Sequence, residues 1–348
     1  MLPVLIGVVV AGCAAVDPER LGDGAAAVDA EMRRLEQRGF AGQVVIAHGQ
    51  QALLVKGYGS VQPGSDAPID ADSVMPLASL TKAFTASAVL AMAADGRLSL
   101  ADPVGRYVPD LAAPWAGLPI DQLMTHSAGL PAEIINRNWA GHPQFEPVDR
   151  ETFINRIQHF PPDPLPGAAF NYSNLGYGLL AVLIETVSGK SYEKFLHQRL
   201  LHPAEVREIG FLIPQWAEIR RVHGRENGRD WGSYFDRPRL EEGLGFLLRG
   251  SGDLHASGMG VLSWWRALQQ RRWLAEDWME RWLQPRVNEP DGSRYGYGLN
   301  FRETPFGTAI GHTGGNRVYS ADLSWWPEHE LMVYIASAEA HFDGRSGS

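Results

Sequence analysis

The chain has 348 residues, 45% of them hydrophobic, and a formal net charge of −9. That apolar content supports a sizeable core in one large domain or two joined lobes and excludes global disorder. The acidic balance excludes a general nucleic-acid binder, which needs a basic footprint.

Leu2 to Val10 form a short apolar run that leads into Val10-Ala11-Gly12-Cys13. This tetrapeptide resembles a bacterial lipobox, in which the cysteine takes the lipid, whereas the plainer reading is a signal peptide cut at small residues. Residues 1–13 are read as an export segment and 14–22 as a tether. The protein is expected to be exported and periplasmic or envelope-anchored, meeting a membrane only through a lipid on Cys13. Cys13 is the sole cysteine, so no disulfide forms within the sequence. No later stretch reaches the roughly 20 apolar residues that span a bilayer.

From Pro18 to Arg38, Leu21, Ala25, Val28, Met32 and Leu35 recur at helical spacing, and Gly39 stops the helix. Strands are expected at Gly42 to Ala47 and Ala52 to Lys56, joined by a hairpin. The middle reads as helical: Ser79 to Asp95 up to Gly96, Asn174 to Val187 up to Ser188-Gly189, and Tyr192 to Leu201. Segments 131–168 and 213–250 carry Pro, Gly and scattered charge with poor periodicity and read as long rim loops. Strands return at Tyr295 to Phe301, Ser320 to Trp326 and, after a turn at 327–330, Leu331 to Ser337. One member each of Trp264-Trp265 and Trp325-Trp326 is expected in the core, since an element buries one face.

The pattern predicts an α+β fold in which both chain ends build an antiparallel sheet flanked by helices. Residues 23–75 and 291–348 form that lobe, and a mainly helical lobe of residues 76–290 is inserted between them.

Three short motifs carry chemistry. In Ser79-Leu80-Thr81-Lys82, a helix opening at Ser79 puts hydroxyl and amine on one face. A serine needs a base, and a lysine serves once burial makes its neutral amine available. The plainer reading is a serine N-cap beside an incidental lysine. A second copy, Ser191-Tyr-Glu-Lys194, reads as simple capping of a polar helix. In Tyr172-Ser173-Asn174, the tyrosine can relay a proton and the asparagine amide can orient a carbonyl, or Ser173 and Asn174 can simply cap a helix. In Gly311-His312-Thr313-Gly314-Gly315, paired glycines at a strand edge admit a ligand to the backbone. The Gly315 N–H can then complete an oxyanion hole with that of Ser79. The plainer reading is a turn between strands. The histidines show no metal-binding spacing such as H-E-x-x-H, and no G-x-S-x-G elbow is present. No metal or other cofactor is expected.

In this order the motifs resemble those of the class C β-lactamase, serine DD-peptidase (penicillin-binding protein) and esterase family, over about residues 25 to 337. Met75-Pro-Leu-Ala-Ser79, Gly96-Arg-Leu-Ser-Leu-Ala-Asp-Pro103, Leu123-Met-Thr-His-Ser-Ala-Gly-Leu130, Val187-Ser-Gly-Lys-Ser-Tyr192 and Tyr295-Gly-Tyr-Gly298 extend the likeness. The resemblance implies a β-lactamase/transpeptidase-like fold and acyl transfer through an acyl-enzyme on Ser79. It implies that Lys82 and Tyr172 share proton transfer, that Asn174 positions the substrate, and that His312, Thr313, Gly314 and Gly315 hold the acyl group.

Two departures matter. Many β-lactamases begin the third motif with lysine, whose charge holds the substrate carboxylate; His312 implies a weaker, pH-dependent anchor. The family also closes with a helix on the sheet, and here only Ala338 to Ser348 follow Ser337: either that helix is missing, which would expose one sheet face, or the sequence is truncated. The expected function is a serine-dependent acyl hydrolase of the esterase or D-amino-acid peptidase kind, taking a small ester, amide or D-amino-acid peptide. A β-lactamase proper and a non-catalytic envelope lipoprotein that binds cell-wall fragments are the alternatives.

Overall fold

The computed structural model describes residues 18–131, 146–160, 169–210, 220–238 and 243–340, with 162, 167 and 240. Cys13 and its lipobox-like segment lie outside them. The expected tether gives way at Pro18, where a helix of residues Pro18–Gln37 (α1) begins.

Strands β1 (Gly42–His48) and β2 (Gln51–Tyr58) form the expected hairpin. Three short strands follow, β3 (Val74–Pro76), β4 (Ile209–Gly210) and β7 (His255–Ser257), which pair as β3-β7-β4. Between them in sequence lies a separate hairpin of β5 (Gly224–Glu226) and β6 (Arg229–Gly232). The C-terminal part supplies β8 (Val287–Asn288), β9 (Arg294–Tyr295), β10 (Asn300–Thr304), β11 (Gly307–Gly315), β12 (Ser320–Trp326) and β13 (Leu331–Ser337). Together with the first hairpin they make one eight-stranded sheet in the order β2-β1-β13-β12-β11-β10-β9-β8. Its pairs are antiparallel, and Gly42 of β1 faces Ser337 of β13, so the two ends of the chain meet inside the sheet.

Alternation assigns each face. Val44, Ile46, Val333 and Ile335 cluster with Ala25, Val28, Met32 and Leu35 of α1. Burying each Val, Ile, Leu or Met contributes roughly 1.5–3 kcal/mol. Farther along this face, Arg302 reaches both oxygens of Asp322 at 3.2 Å and the Ser324 hydroxyl at 2.7 Å. A buried polar network therefore continues this face beyond the α1 cluster.

On the opposite face, Val45, Ala47, Met332 and Tyr334 join a cluster built with the middle helices. Helix α2 (Thr81–Ala94) is buried at every position from Thr81 to Ala93, and the helix at Asn174–Ser188 is buried from Leu175 to Ile184. Helices apolar on all sides belong in an interior. Gly96 and Gly189 end these helices with φ of +69° each, as their sequence positions foretold.

Several expectations are corrected. The strand foreseen over Tyr295 to Phe301 is two strands, β9 and β10, separated by a tight excursion. At its turn, Gly298 has φ +71°, and a Cβ there would lie 2.5 Å from the Lys82 carbonyl oxygen. Segment 131–168 contains a helix, Arg150–Ile157, capped by Asp149, whose side chain accepts from the Thr152 N–H at 2.7 Å. Segment 213–250 contains the β5–β6 hairpin. Tyr192 to Leu201 is α-helical only to Leu196 and continues as a wider π-helical turn over His197–Leu201. Both Trp264 and Trp265 are buried, because their helix, Gly258–Gln269, is enclosed on two sides. Trp265 meets Trp325 edge-on at 5.2 Å, while Trp264 lies 4.8 Å from Phe84.

Candidate active site

Ser79 lies in a 3-10 turn, Ala78–Leu80, that runs directly into α2. It therefore sits just ahead of the α-helix rather than within its first turn. Ala78 takes the left-handed conformation at φ +47°, a strained state for a residue with a Cβ. The turn is pinned by β3: Pro76 pairs with His255, and the Leu77 N–H donates to the Leu254 carbonyl at 2.8 Å. Ser79 keeps an accessible surface between buried neighbours Ala78 and Leu80.

Lys82 is fully buried. Its Nζ lies 3.1 Å from Ser79 Oγ, 2.7 Å from Asn174 Oδ1 and 2.8 Å from the Ser251 carbonyl. Burial holds the amine well below the usual lysine range. Two of its three contacts are carbonyl oxygens that only accept. A neutral amine that spends both N–H groups on them turns its lone pair towards the third contact, the Ser79 hydroxyl. No carboxylate stands among these contacts to hold the proton on the amine. The arrangement can therefore take a proton from Ser79.

The segment 250–254 forms a strap along α2. Thr85 Oγ1 donates to the Gly250 carbonyl at 2.6 Å, Lys82 to that of Ser251, and the Leu254 N–H to Thr81 Oγ1 at 3.2 Å. Gly298 lies against the other side of the Lys82 backbone. Only glycine permits that approach, which accounts for the Tyr295-Gly-Tyr-Gly298 motif.

Tyr172 precedes the helix at Asn174–Ser188. Its ring centroid is 4.8 Å from Lys82 Nζ. Burial pushes its phenol up, and the Ser79 hydroxyl beside it acts in the opposite direction. Tyr172 is thus a neutral phenol at ordinary pH. Ser173 is the helix N-cap by position, yet its hydroxyl donates to the Pro131 carbonyl at 3.1 Å instead of capping. Asn174 is likewise drawn away from the helix end, towards Lys82.

Strand β11 brings the third motif alongside. Its pairing with β10 ends at Gly311, whereas its pairing with β12 continues to Gly315. Residues 312–315 thus offer one backbone edge with no strand partner among the described residues. The two glycines differ in purpose. A Cβ on Gly314 would lie 2.3 Å from the Leu77 carbonyl and 3.1 Å from Ser79 N, whereas one on Gly315 would meet nothing within 4 Å. Gly314 lets the strand close on the nucleophile turn. Thr313 and Gly315 are exposed at the edge.

His312 departs from its expected role. It is buried at 4% exposure, and burial, with the nearby Lys82 amine, pushes its imidazole down to about 3. Its Nδ1 contacts the Thr313 carbonyl, which fixes the proton on Nδ1; Nε2 then accepts from the Tyr295 hydroxyl at 2.9 Å. A neutral, internally satisfied ring is not a carboxylate anchor.

The structure thus gathers Ser79, Lys82, Tyr172, Asn174 and the 312–315 strand in one place. The second Ser-x-x-Lys does not join them. Ser191 stands at the N-cap of Tyr192–Leu196 without a side-chain cap bond, Lys194 is exposed, and Tyr192, Phe195 and Leu196 are buried, so the helix is not simply polar. Sequence reasoning missed the Ser251 carbonyl, Tyr295 and His126. The latter two lie inside motif segments that carried the resemblance, while a backbone carbonyl leaves no residue-type signal. No group of three or more His, Cys, Asp or Glu with metal-binding geometry occurs among the described residues.

A model of the Beta-lactamase family matches residues 25–347. Penicillin-binding protein 4* of Bacillus subtilis is 28% identical over 326 residues, covering 87% of this chain and 69% of its own. Protein flp of Staphylococcus aureus is 29% identical over 174 residues, 48% of this chain and 34% of its own, so the match spans about a third of that relative. Among solved structures, the octameric penicillin-binding protein homologue from Pyrococcus abyssi superposes with a TM-score of 0.77 at 23% identity, over 92% of this chain and 73% of that one. The D-amino acid amidase from Ochrobactrum anthropi SV3 does so with a TM-score of 0.72 at 19% identity, over 91% and 93%. Since the family match runs through every strand of the large sheet and every motif of the site, the chain belongs to the beta-lactamase family of serine hydrolases.

Proposed function

We propose that this hydrolase works through an acyl-enzyme on Ser79 and takes a D-amino-acid amide or peptide, or a small ester of similar size. The observation that carries the reading is the Lys82 amine, buried, free of carboxylate contacts among the described residues and 3.1 Å from the Ser79 hydroxyl. In the first step Lys82 takes the Ser79 proton as Oγ bonds to the substrate carbonyl carbon. The carbonyl oxygen gains charge and is received by the N–H groups of Ser79 and Gly315. The neutral Tyr172 phenol passes a proton to the departing amine or alcohol and is restored from the Lys82 ammonium. In the second step water attacks the ester on Ser79, the proton path runs in reverse, and acid leaves with the serine regenerated.

The D-amino-acid preference is supported by the amidase whose fold this chain shares. The neutral, buried His312 argues against the β-lactamase alternative, because it supplies no charge for the carboxylate of a β-lactam. A pure binder needs no desolvated amine beside its serine. Turnover of D-phenylalanine amide, L-phenylalanine amide, a p-nitrophenyl ester and a chromogenic cephalosporin, compared by kcat/KM, tests the assignment. The D-amide or the ester should exceed the cephalosporin by about 100-fold or more, a margin of about 3 kcal/mol. A cephalosporin hydrolysed fastest would make the protein a β-lactamase instead.

A further inference from the structure

His126 belongs to the segment Leu123-Met-Thr-His-Ser-Ala-Gly-Leu130, which the proposed chemistry does not use. It is 2% exposed and takes the left-handed conformation at φ +58°. In that conformation the residue grips the strand before the 174–188 helix at two points. Its backbone carbonyl accepts from the Asn171 N–H at 2.7 Å, and its ring Nδ1 accepts from the Ser173 N–H at 3.1 Å. The residue between these two is Tyr172. The imidazole lies against that tyrosine with ring centroids 4.3 Å apart, and it also borders Tyr177 at 5.1 Å and Tyr295 at 4.8 Å.

The geometry points to His126 as a positioning residue that fixes the Tyr172 hydroxyl beside Ser79 by clamping the backbone on both sides of it. The inference rests on the proposed role of Tyr172. Three features support the clamp. A backbone N–H is a donor only, so Nδ1 must be unprotonated to accept from Ser173. Burial, together with the Lys82 amine and His312, holds the imidazole well below its ordinary range, which keeps Nδ1 an acceptor. Among the described residues the buried Nε2 atom has no hydrogen-bond partner. Side-chain hydrogen bonding at this residue is thus concentrated on the one atom that holds Ser173. An imidazole used only as filling would gain nothing from such an uneven arrangement, because an unpartnered buried polar atom costs about 1–3 kcal/mol.

The test contrasts two amide replacements. In His126→Asn the side-chain oxygen takes the place of Nδ1, and asparagine tolerates the left-handed backbone. In His126→Gln the amide reaches the place of Nε2 and leaves Ser173 without its acceptor. Turnover of p-nitrophenyl butyrate is measured with thermal unfolding of each variant, alone and combined with Tyr172→Phe. Misplacing a catalytic group by about 1 Å costs on the order of 100-fold. His126→Gln should therefore lower kcat about 10- to 100-fold with KM little changed, and His126→Asn should stay within about fivefold of wild type. In the Tyr172→Phe background, His126→Gln should add less than about threefold, the mark of two residues acting through one group.

Equal losses from His126→Gln with and without the Tyr172 hydroxyl would overturn the proposal, as would a His126→Asn variant that is unfolded or as impaired as His126→Gln. If His126→Gln does not fold, the asparagine variant decides alone by the same criterion. If Tyr172→Phe itself retains full turnover, the role of Tyr172 fails and the clamp with it. If Tyr172→Phe is impaired and folded His126→Gln is not, only the clamp fails.

Discussion

Replacing Asp253 with asparagine should stabilise the protein in alkali and change it little below about pH 4. Asp253 ends the strap whose Ser251 carbonyl holds Lys82. Its side chain is fully buried; Oδ1 accepts from the Gly250 N–H at 3.3 Å, and Oδ2 has no partner among the described residues. Burial pushes the carboxyl from 3.8 up to about 7, with the Arg249 guanidinium acting the other way. Between those two values the folded protein keeps a proton that the unfolded chain releases. The contribution of this site to stability is therefore full below pH 3.8 and lost as pH rises to about 7. Three pKa units at about 1.36 kcal/mol each set a ceiling of about 4 kcal/mol. Relaxation and water entry reduce this to about 1–3 kcal/mol. Asparagine keeps the shape and the Oδ1 acceptor but cannot ionise. Urea unfolding of both proteins at about pH 3.5 and about pH 8.5 should give a difference near zero in acid and about 1–3 kcal/mol in favour of asparagine in alkali. An equal difference at both values would refute the reasoning, because only ionisation of Asp253 distinguishes them.

Lys82→Met, which fills the same space without an amine, should keep the fold and lower kcat/KM by about 100- to 10,000-fold, the usual range for a lost proton-transfer group. In the wild type, kcat/KM should rise with pH along a limb below the ordinary lysine range, since the working form is the neutral amine; steady-state kinetics across pH read both effects. His312, pushed down to about 3, stays neutral, so KM for a carboxylate-bearing substrate should be flat from about pH 5 to 8; a break near the ordinary histidine value would contradict its burial. Gly314→Ala drives a Cβ to 2.3 Å from the Leu77 carbonyl and must separate β11 from the nucleophile turn. Its kcat should fall by about 100-fold with a smaller change in unfolding midpoint, as kinetics and a thermal melt would show.

Much of this architecture was legible because its signals are local. Strands β12 and β13 have the bounds read from the sequence, Ser320 to Trp326 and Leu331 to Ser337, residue for residue. The 174–188 helix ends at the glycine that marks it. What escaped was set by tertiary contact. The turn splitting β9 from β10 exists because Gly298 must pass the Lys82 backbone, and a run of alternating aromatics and glycines reads equally well as one strand. The Arg150–Ile157 helix was hidden in a polar segment, although Asp149 ahead of Phe153, Ile154 and Ile157 carries a cap and an apolar stripe. At the site, residue types named Ser79, Lys82, Tyr172 and Asn174. They were silent on the Ser251 carbonyl, and misleading for His312, whose neutrality follows from burial beside Lys82 and from Tyr295.

The most direct test of the central claim is the intact mass of the protein after brief exposure to p-nitrophenyl butyrate, with Ser79→Ala alongside. The account predicts a single butyryl adduct, or a product burst of equal size, that is absent from the variant. An adduct that persists in Ser79→Ala would contradict the assignment of the nucleophile, as would a folded wild type with neither adduct nor turnover on any ester or D-amide.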